Sequence, residues 1–288
     1  MPEGEFVWID SQQKLQKALK EISRARIVAI DTEYDSFHYF REKLCLVQAG
    51  TPNCFYLLDP VSVDLTPMGK IFESSSILKV MHAGDNDLRI LTRDYGFGFH
   101  NIFDTQRAAC LLGSHHLSLA SVLAEYLGVE VKKSKKLQRS QWDCRPLSDD
   151  QMKYAVEDIE YLIPLCQKLR EHLRERGLDT LAEKTFEDEI ASAVWTEKVL
   201  DSRGHTRIEG FQEMRPNQRK RLAALYKWRF HKAKETNRAV FMILSDQSIA
   251  ELARERIYTV ESLSRSGILT EKKLEQYGPE ILEVMKPR

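Results

Sequence analysis

Carboxylates set beside apolar elements are the part of this chain best suited to chemistry. Asp31 and Glu33 follow the β-branched apolar run 27–30, and because strand side chains alternate with period two, both point the same way. Alone, such an Asp-x-Glu says little, since strand ends are often polar. Asp87 lies in the first helical turn after the apolar run 78–81. A carboxylate there also favours the helix dipole, but Asp85 suits that part better, as an N-cap, and leaves Asp87 to face elsewhere. Tyr154 and Asp158 are four residues apart and share one helix face among Ala155, Val156, Ile159 and Leu162. A surface tyrosine–aspartate pair is the plain alternative. The joint pattern carries more than its parts: acids on a strand, a helix start and a helix, with a tyrosine one turn before the last. Brought together, four carboxylates would repel and raise one another's pKa unless divalent cations neutralised them. An all-oxygen donor set suits hard ions, Mg2+ or Mn2+, and without histidine or cysteine ligands disfavours zinc.

The elements that must position these groups are readable from periodicity. After an opening stretch at 6–10, an amphipathic segment spans 11–23. Strand patterns follow at 27–30, 44–49 and 54–58, the last two joined by the turn residues Gly50-Thr51-Pro52-Asn53, which predicts an antiparallel meander. Then helices and strands alternate: strand 78–81, helix 85–95, strand 101–103, helix 105–112 and helix 119–127, closed by Gly128. Such alternation implies an α/β core with parallel strands. The basic stretch 132–136 reads as an exposed loop. A long helix begins at Ser148, with Gln151 completing a capping box, and runs to about 176 with a kink at Pro164. Beyond Gly177 strand signals nearly vanish. From Arg215 onward the pattern is that of a small all-α bundle.

Several other residues invite a role. His82 could help seat a substrate or be a satisfied histidine at a strand end. Asp104 stands where a helix N-cap is expected. Trp142 and Arg145 could flank a substrate channel, although Trp142 could equally cover the core, and Cys144 reads as incidental. Lys132, Lys133, Lys135, Lys136 and Arg139 could track phosphates, as could a basic run in the bundle that includes Lys220, Lys227 and Arg229 beside Tyr226 and Trp228. A solvated face is the alternative for both.

At 288 residues, with 42% hydrophobic and 30% charged residues, the chain has room for a catalytic domain plus a smaller module, and no apolar run approaches bilayer length. The first residues lack a basic region followed by an apolar one, so no secretory signal is expected. Five scattered cysteines read as reduced thiols, and the expected location is cytoplasmic. A net charge of zero argues against coating nucleic acid by bulk charge but leaves segregated patches open.

The constellation resembles the DEDD exonuclease superfamily in its tyrosine branch: Asp31 and Glu33 in the first motif, Asp87 in the second, Tyr154 and Asp158 in the third. Lys153 stands where the histidine branch would have its histidine. The strings DTEYDSFHYFREKLCLVQ, HAGDNDLRIL, FDTQRAA and RSQWDCRPLSDDQMKYAVEDIEYLIPL are most similar to the ribonuclease D family, and the C-terminal bundle resembles a single HRDC domain. The resemblance implies a ribonuclease H-like mixed sheet with flanking helices. It divides the chain into an exonuclease domain at 1–178, a helical linker at 179–210 and the HRDC domain at 211–288. It further implies a 3′→5′ exoribonuclease that trims RNA 3′ ends, of tRNA-precursor type, by two-metal hydrolysis to nucleoside 5′-monophosphates. In that scheme Asp31 bridges two ions roughly 4 Å apart, Glu33 and Asp158 serve the ion on the nucleophile side, Asp87 reaches the other, and Tyr154 orients the attacking water. A phenol with pKa near 10 suits hydrogen bonding better than anionic base work. A 3′→5′ DNA exonuclease and a non-catalytic RNA-binding scaffold are the rival readings.

Overall fold

The computed structural model describes residues 6–132 and 134–286, so Lys133 lies outside the described residues. The chain forms two compact units. The first reaches to Thr196 without Ser36–Glu42; the second consists of Ser36–Glu42 and the chain from Glu197 onward.

The first unit is built on strands β1 (Phe6–Ile9), β2 (Ile27–Asp35), β3 (Lys43–Gly50), β4 (Phe55–Leu58), β5 (Leu78–Met81) and β6 (Ile102–Asp104), in the spatial order β1-β4-β3-β2-β5-β6. Strands β2, β3 and β4 pair antiparallel, while β1 with β4, β2 with β5 and β5 with β6 pair parallel. The mixed sheet expected from the meander and the alternation is therefore present. Its helices are α1 (Gln12–Ile22), α2 (Gly69–Phe72), α3 (Asp85–Tyr95), α4 (Thr105–Leu111), α5 (Leu119–Leu127), α6 (Lys135–Gln138), α7 (Asp149–Glu160), α8 (Leu162–Glu175) and α9 (Asp179–Ser192). Strand alternation sorts the core into two layers. Ala29, Leu46, Leu57, Val80 and Phe103 pack with Ala155, Ile159, Leu165 and Phe186 on one face. Val28, Ile30, Val47, Leu58 and Met81 pack with Leu15, Ile22, Leu88 and Leu91 on the other.

Four local expectations change. Strand β2 runs on to Asp35, so Asp31 and Glu33 sit inside it and not beyond its end, because Glu33 and Asp35 keep pairing with Leu46 and Lys43 across a bulge after Glu33. The long helix is two helices, α7 and α8, that part at Tyr161. Pro164 has no amide hydrogen for the carbonyl of Glu160 and its ring crowds that carbonyl, so the break falls one turn ahead of the proline. Within the basic stretch, Ser134 caps the short helix α6 in place of a plain loop. Helix α9, expected as linker, belongs to the first unit, where Ala182 and Phe186 enter the core.

The second unit contains α10 (Pro216–Thr236), α11 (Val240–Ile243), α12 (Asp246–Arg254), α13 (Val260–Arg265) and α14 (Glu271–Met285). Helices α12 and α14 pack on α10 around Leu222, Leu225, Ile249, Leu252 and Ile281. Phe40 joins this core, its ring 5.1 Å from that of Phe230. Among the described residues no helix is long and apolar enough to cross a membrane.

Candidate active site

Strand β2 presents Asp31 and Glu33 on the face covered by α7, the face that also receives Ala29. Helix α7 starts where the sequence says it should, with Ser148 and Gln151 closing a reciprocal capping box. It packs on β2, β3 and β4. A glycine at the end of β3 permits this approach: a Cβ on Gly50 would lie 3.3 Å from the Ile159 side chain and 3.1 Å from that of Phe55. The i, i+4 spacing then aims Tyr154 and Asp158 at the strand.

The result is a carboxylate cluster. One oxygen each from Asp31, Glu33 and Asp158 lies within 4.8 Å of the others. Glu33 and Asp158 are buried and Asp31 is half-buried. Three acids so close cannot all stay charged at low cost without a cation, and their hard oxygens, with no sulfur or imidazole among them, fit Mg2+ or Mn2+. Tyr154 adjoins the cluster. Burial, and then the charges of Asp158, Glu33 and Asp31, push its phenol well above 10, so it remains a hydrogen-bonding hydroxyl.

Asp87 is tied to the same strand. Thr32, between the two acids of β2, points to the opposite face, and its hydroxyl donates to Asp87 Oδ1. Asp87 is buried at the start of α3, and burial pushes its carboxyl up to about 7, with the Thr32 bond opposing and Asp104 and Asp85 adding to the shift. Three of the four expected carboxylates thus share one tight group, and the fourth is bonded to the residue between the two strand acids.

Residues 6–174 match the 3′-5′ exonuclease family, and residues 218–285 match the HRDC domain. The chain belongs to the 3′-5′ exonuclease family. Among its relatives is ribonuclease D of Cronobacter turicensis, 30% identical over 255 residues that cover 87% of this chain and 68% of the relative. The exosome complex component 10 homolog of Drosophila melanogaster is 37% identical over 165 residues, 57% of this chain and 18% of that protein. This exonuclease therefore spans about a fifth of the fly relative's length. The crystal structure of Escherichia coli RNase D, described as an exoribonuclease involved in structured RNA processing, aligns with 98% of this chain and 74% of its own, at a TM-score of 0.69 and 25% identity. The exonuclease is accordingly a ribonuclease D-like 3′-5′ exoribonuclease, a hydrolase by class.

Around the cluster, several residues considered for substrate contact are otherwise engaged in this exonuclease. Trp142 is 1% exposed and belongs to the core, its ring 6.0 Å from that of Tyr154. It backs the tyrosine and does not face a channel. The Arg145 guanidinium is held in the protein: it makes a two-point contact to Asp59 at 3.0 and 2.6 Å and donates to the carbonyls of Cys45 and Trp142, both at 2.7 Å. Both His82 ring nitrogens are occupied, one 2.9 Å from the Thr105 hydroxyl and one 3.0 Å from the Leu117 carbonyl, so the satisfied-histidine alternative describes it. Asp85 pairs with Arg107 and is the first residue of α3, whose N-cap is Gly84. Arg229 is 3% exposed, bonded to the Leu244 carbonyl at 2.9 Å and to Asp246 at 2.7 Å, and so is removed from any surface patch.

Lys135, Lys136 and Arg139 are exposed on and after α6. In the second unit Lys220 and Lys227 line a groove of about 1170 Å3 together with Arg221, Arg254, Arg256 and Trp228. Two further residues adjoin the site, Thr32 and Gln48; Gln48 pairs across the ladder with Asp31, is fully buried, and has neither side-chain amide atom hydrogen-bonded among the described residues. Its signal was a lone polar residue in the apolar run 44–49.

Proposed function

We propose that the protein shortens RNA from a free 3′ end, releasing nucleoside 5′-monophosphates one at a time, on substrates of the tRNA-precursor type. The observation that carries this reading is the convergence of Asp31, Glu33 and Asp158 oxygens within 4.8 Å beside Tyr154. Asp31, Glu33 and Asp158 would hold one divalent cation, Mg2+ or Mn2+, and Asp31 with Asp87 a second. When bound, such ions acidify a water and neutralise charge on the departing 3′ oxygen. The chain's own contribution is placement. Tyr154, kept protonated by its surroundings, donates or accepts a hydrogen bond that orients the attacking water. Trp142 behind it limits the tyrosine to one position. Lys220, Lys227 and the exposed bases of α6, Lys135 and Lys136 with Arg139 after them, attract the phosphate backbone. With its five thiols, the cytoplasm is the proposed setting.

A product ladder from 5′-labelled RNA, with and without Mg2+ or Mn2+, tests polymer, direction and metal together. Stepwise shortening that needs the cation supports the reading, whereas endonucleolytic fragments or equal activity in chelator would end it, and faster removal from matched DNA would reassign the substrate. Asp158→Asn should abolish the ladder without lowering the melting temperature, since it removes one of three repelling charges. Tyr154→Phe should retain a residual rate, lower by roughly 10²-fold or more.

A further inference from the structure

The junction between β6 and α4 grips the junction between β5 and α3. Asp104 is fully buried and uses both carboxylate oxygens. Oδ1 caps α4, accepting from the Gln106 and Arg107 amides at 2.8 and 3.0 Å, while Oδ2 accepts the Gly84 amide at 2.8 Å. Next to it, the Thr105 hydroxyl donates to the Met81 carbonyl at 2.9 Å. Gly84 is the N-cap of α3, and Ala83 before it adopts a left-handed φ of 56°. That conformation disfavours a residue with a Cβ and persists only where the surroundings enforce it. On the far side, Arg107 ion-pairs with Asp85 in the first turn of α3 and lies 2.9 Å from Glu189 of α9, itself 1% exposed. The same first turn carries Asp87.

From this geometry we infer that Asp104 is a positioning residue for Asp87, acting through the Gly84 amide to set the first turn of α3 against β2. The inference rests on the proposed reading of Asp87 as a carboxylate that reaches a metal ion. Helix capping needs one oxygen of Asp104; positioning needs the other. A side chain with a single acceptor separates the two. Asp104→Asn keeps Oδ1 for the α4 cap but turns an NH2 group towards the Gly84 amide, a donor facing a donor. Asp104→Ser also retains a capping oxygen and is too short to bridge to Gly84.

The test compares Mn2+ binding by calorimetry, and the Gly84 amide resonance by NMR, in the full chain and in Asp104→Asn, Asp104→Ser and Asp87→Asn. Loss of the carboxylate-bonded Gly84 amide shift, with Mn2+ binding weakened at least about tenfold as for Asp87→Asn, is the expected result for both Asp104 variants. The serine variant keeps the test usable if the opposed donors of the asparagine variant prevent folding. Wild-type Mn2+ binding in the Asp104 variants alongside weakened binding in Asp87→Asn would overturn the inference and leave the reading of Asp87 standing. Unchanged binding in all three variants would overturn both.

Discussion

Among individual residues, the partners of a buried acid decide its charge. Asp59, almost fully buried, is held below its ordinary range by the Arg145 guanidinium and by hydroxyl and amide donors, against the opposing effect of burial. Glu189 is the opposite case. Burial pushes its carboxyl up to about 9, with Asp104 adding to the shift and Arg107 opposing it. The folded protein therefore keeps a proton that the unfolded chain, with glutamate near 4.5, has released. Its stabilising contribution is whole below that value and declines as pH rises towards about 9. Glu189→Gln should flatten this decline and raise the melting temperature at about pH 8. Thermal melts of both proteins across the interval give the check, and parallel pH profiles would refute the assignment.

At the scale of elements, α7 and the segment before it build the site. Trp142 is fully buried against Tyr154, and Arg145 ties the same segment to Asp59 and to β3. Truncating a buried aromatic of this size costs about 3–5 kcal/mol. Trp142→Ala should show that loss in denaturant unfolding and, at a temperature where it remains folded, a reduced kcat because Tyr154 gains freedom. Undiminished kcat would mean that the indole does not hold the tyrosine. The capping box at Ser148 was legible because a cap is a local bargain between neighbouring residues. The break at Tyr161 was misplaced by three residues because a proline acts on the carbonyl one turn behind it. Strand β2 was drawn too short because its polar end is sustained by pairing with β3, which lies far along the chain.

For the whole molecule, two units share one chain unevenly, since Ser36–Glu42 leaves the first unit's sequence to join the second, with Phe40 in its core. The groove lined by Lys220 and Lys227 lies in that second unit. Replacing both lysines by glutamate should weaken RNA binding about equally across sequences and lower the salt slope of the affinity by roughly one to two. Cleavage of a dinucleotide should change little. Titrations at several salt concentrations measure this, and an unaltered slope would remove the groove from the RNA path.

The sequence by itself determined the class of the fold, its alternating elements, and the three acids, Asp31, Glu33 and Asp158, that meet beside Tyr154. Those signals are local: strand and helix periods, caps, turn residues and the spacing of acids within a motif. Tertiary structure alone decided the rest. It brought oxygens of Asp31, Glu33 and Asp158 within 4.8 Å of one another and bonded Thr32 to Asp87. It also withdrew Trp142, Arg145, His82 and Arg229 into the protein's own contacts. Whether an arginine meets solvent or a buried carboxylate depends on partners tens of residues away, and no local pattern records them.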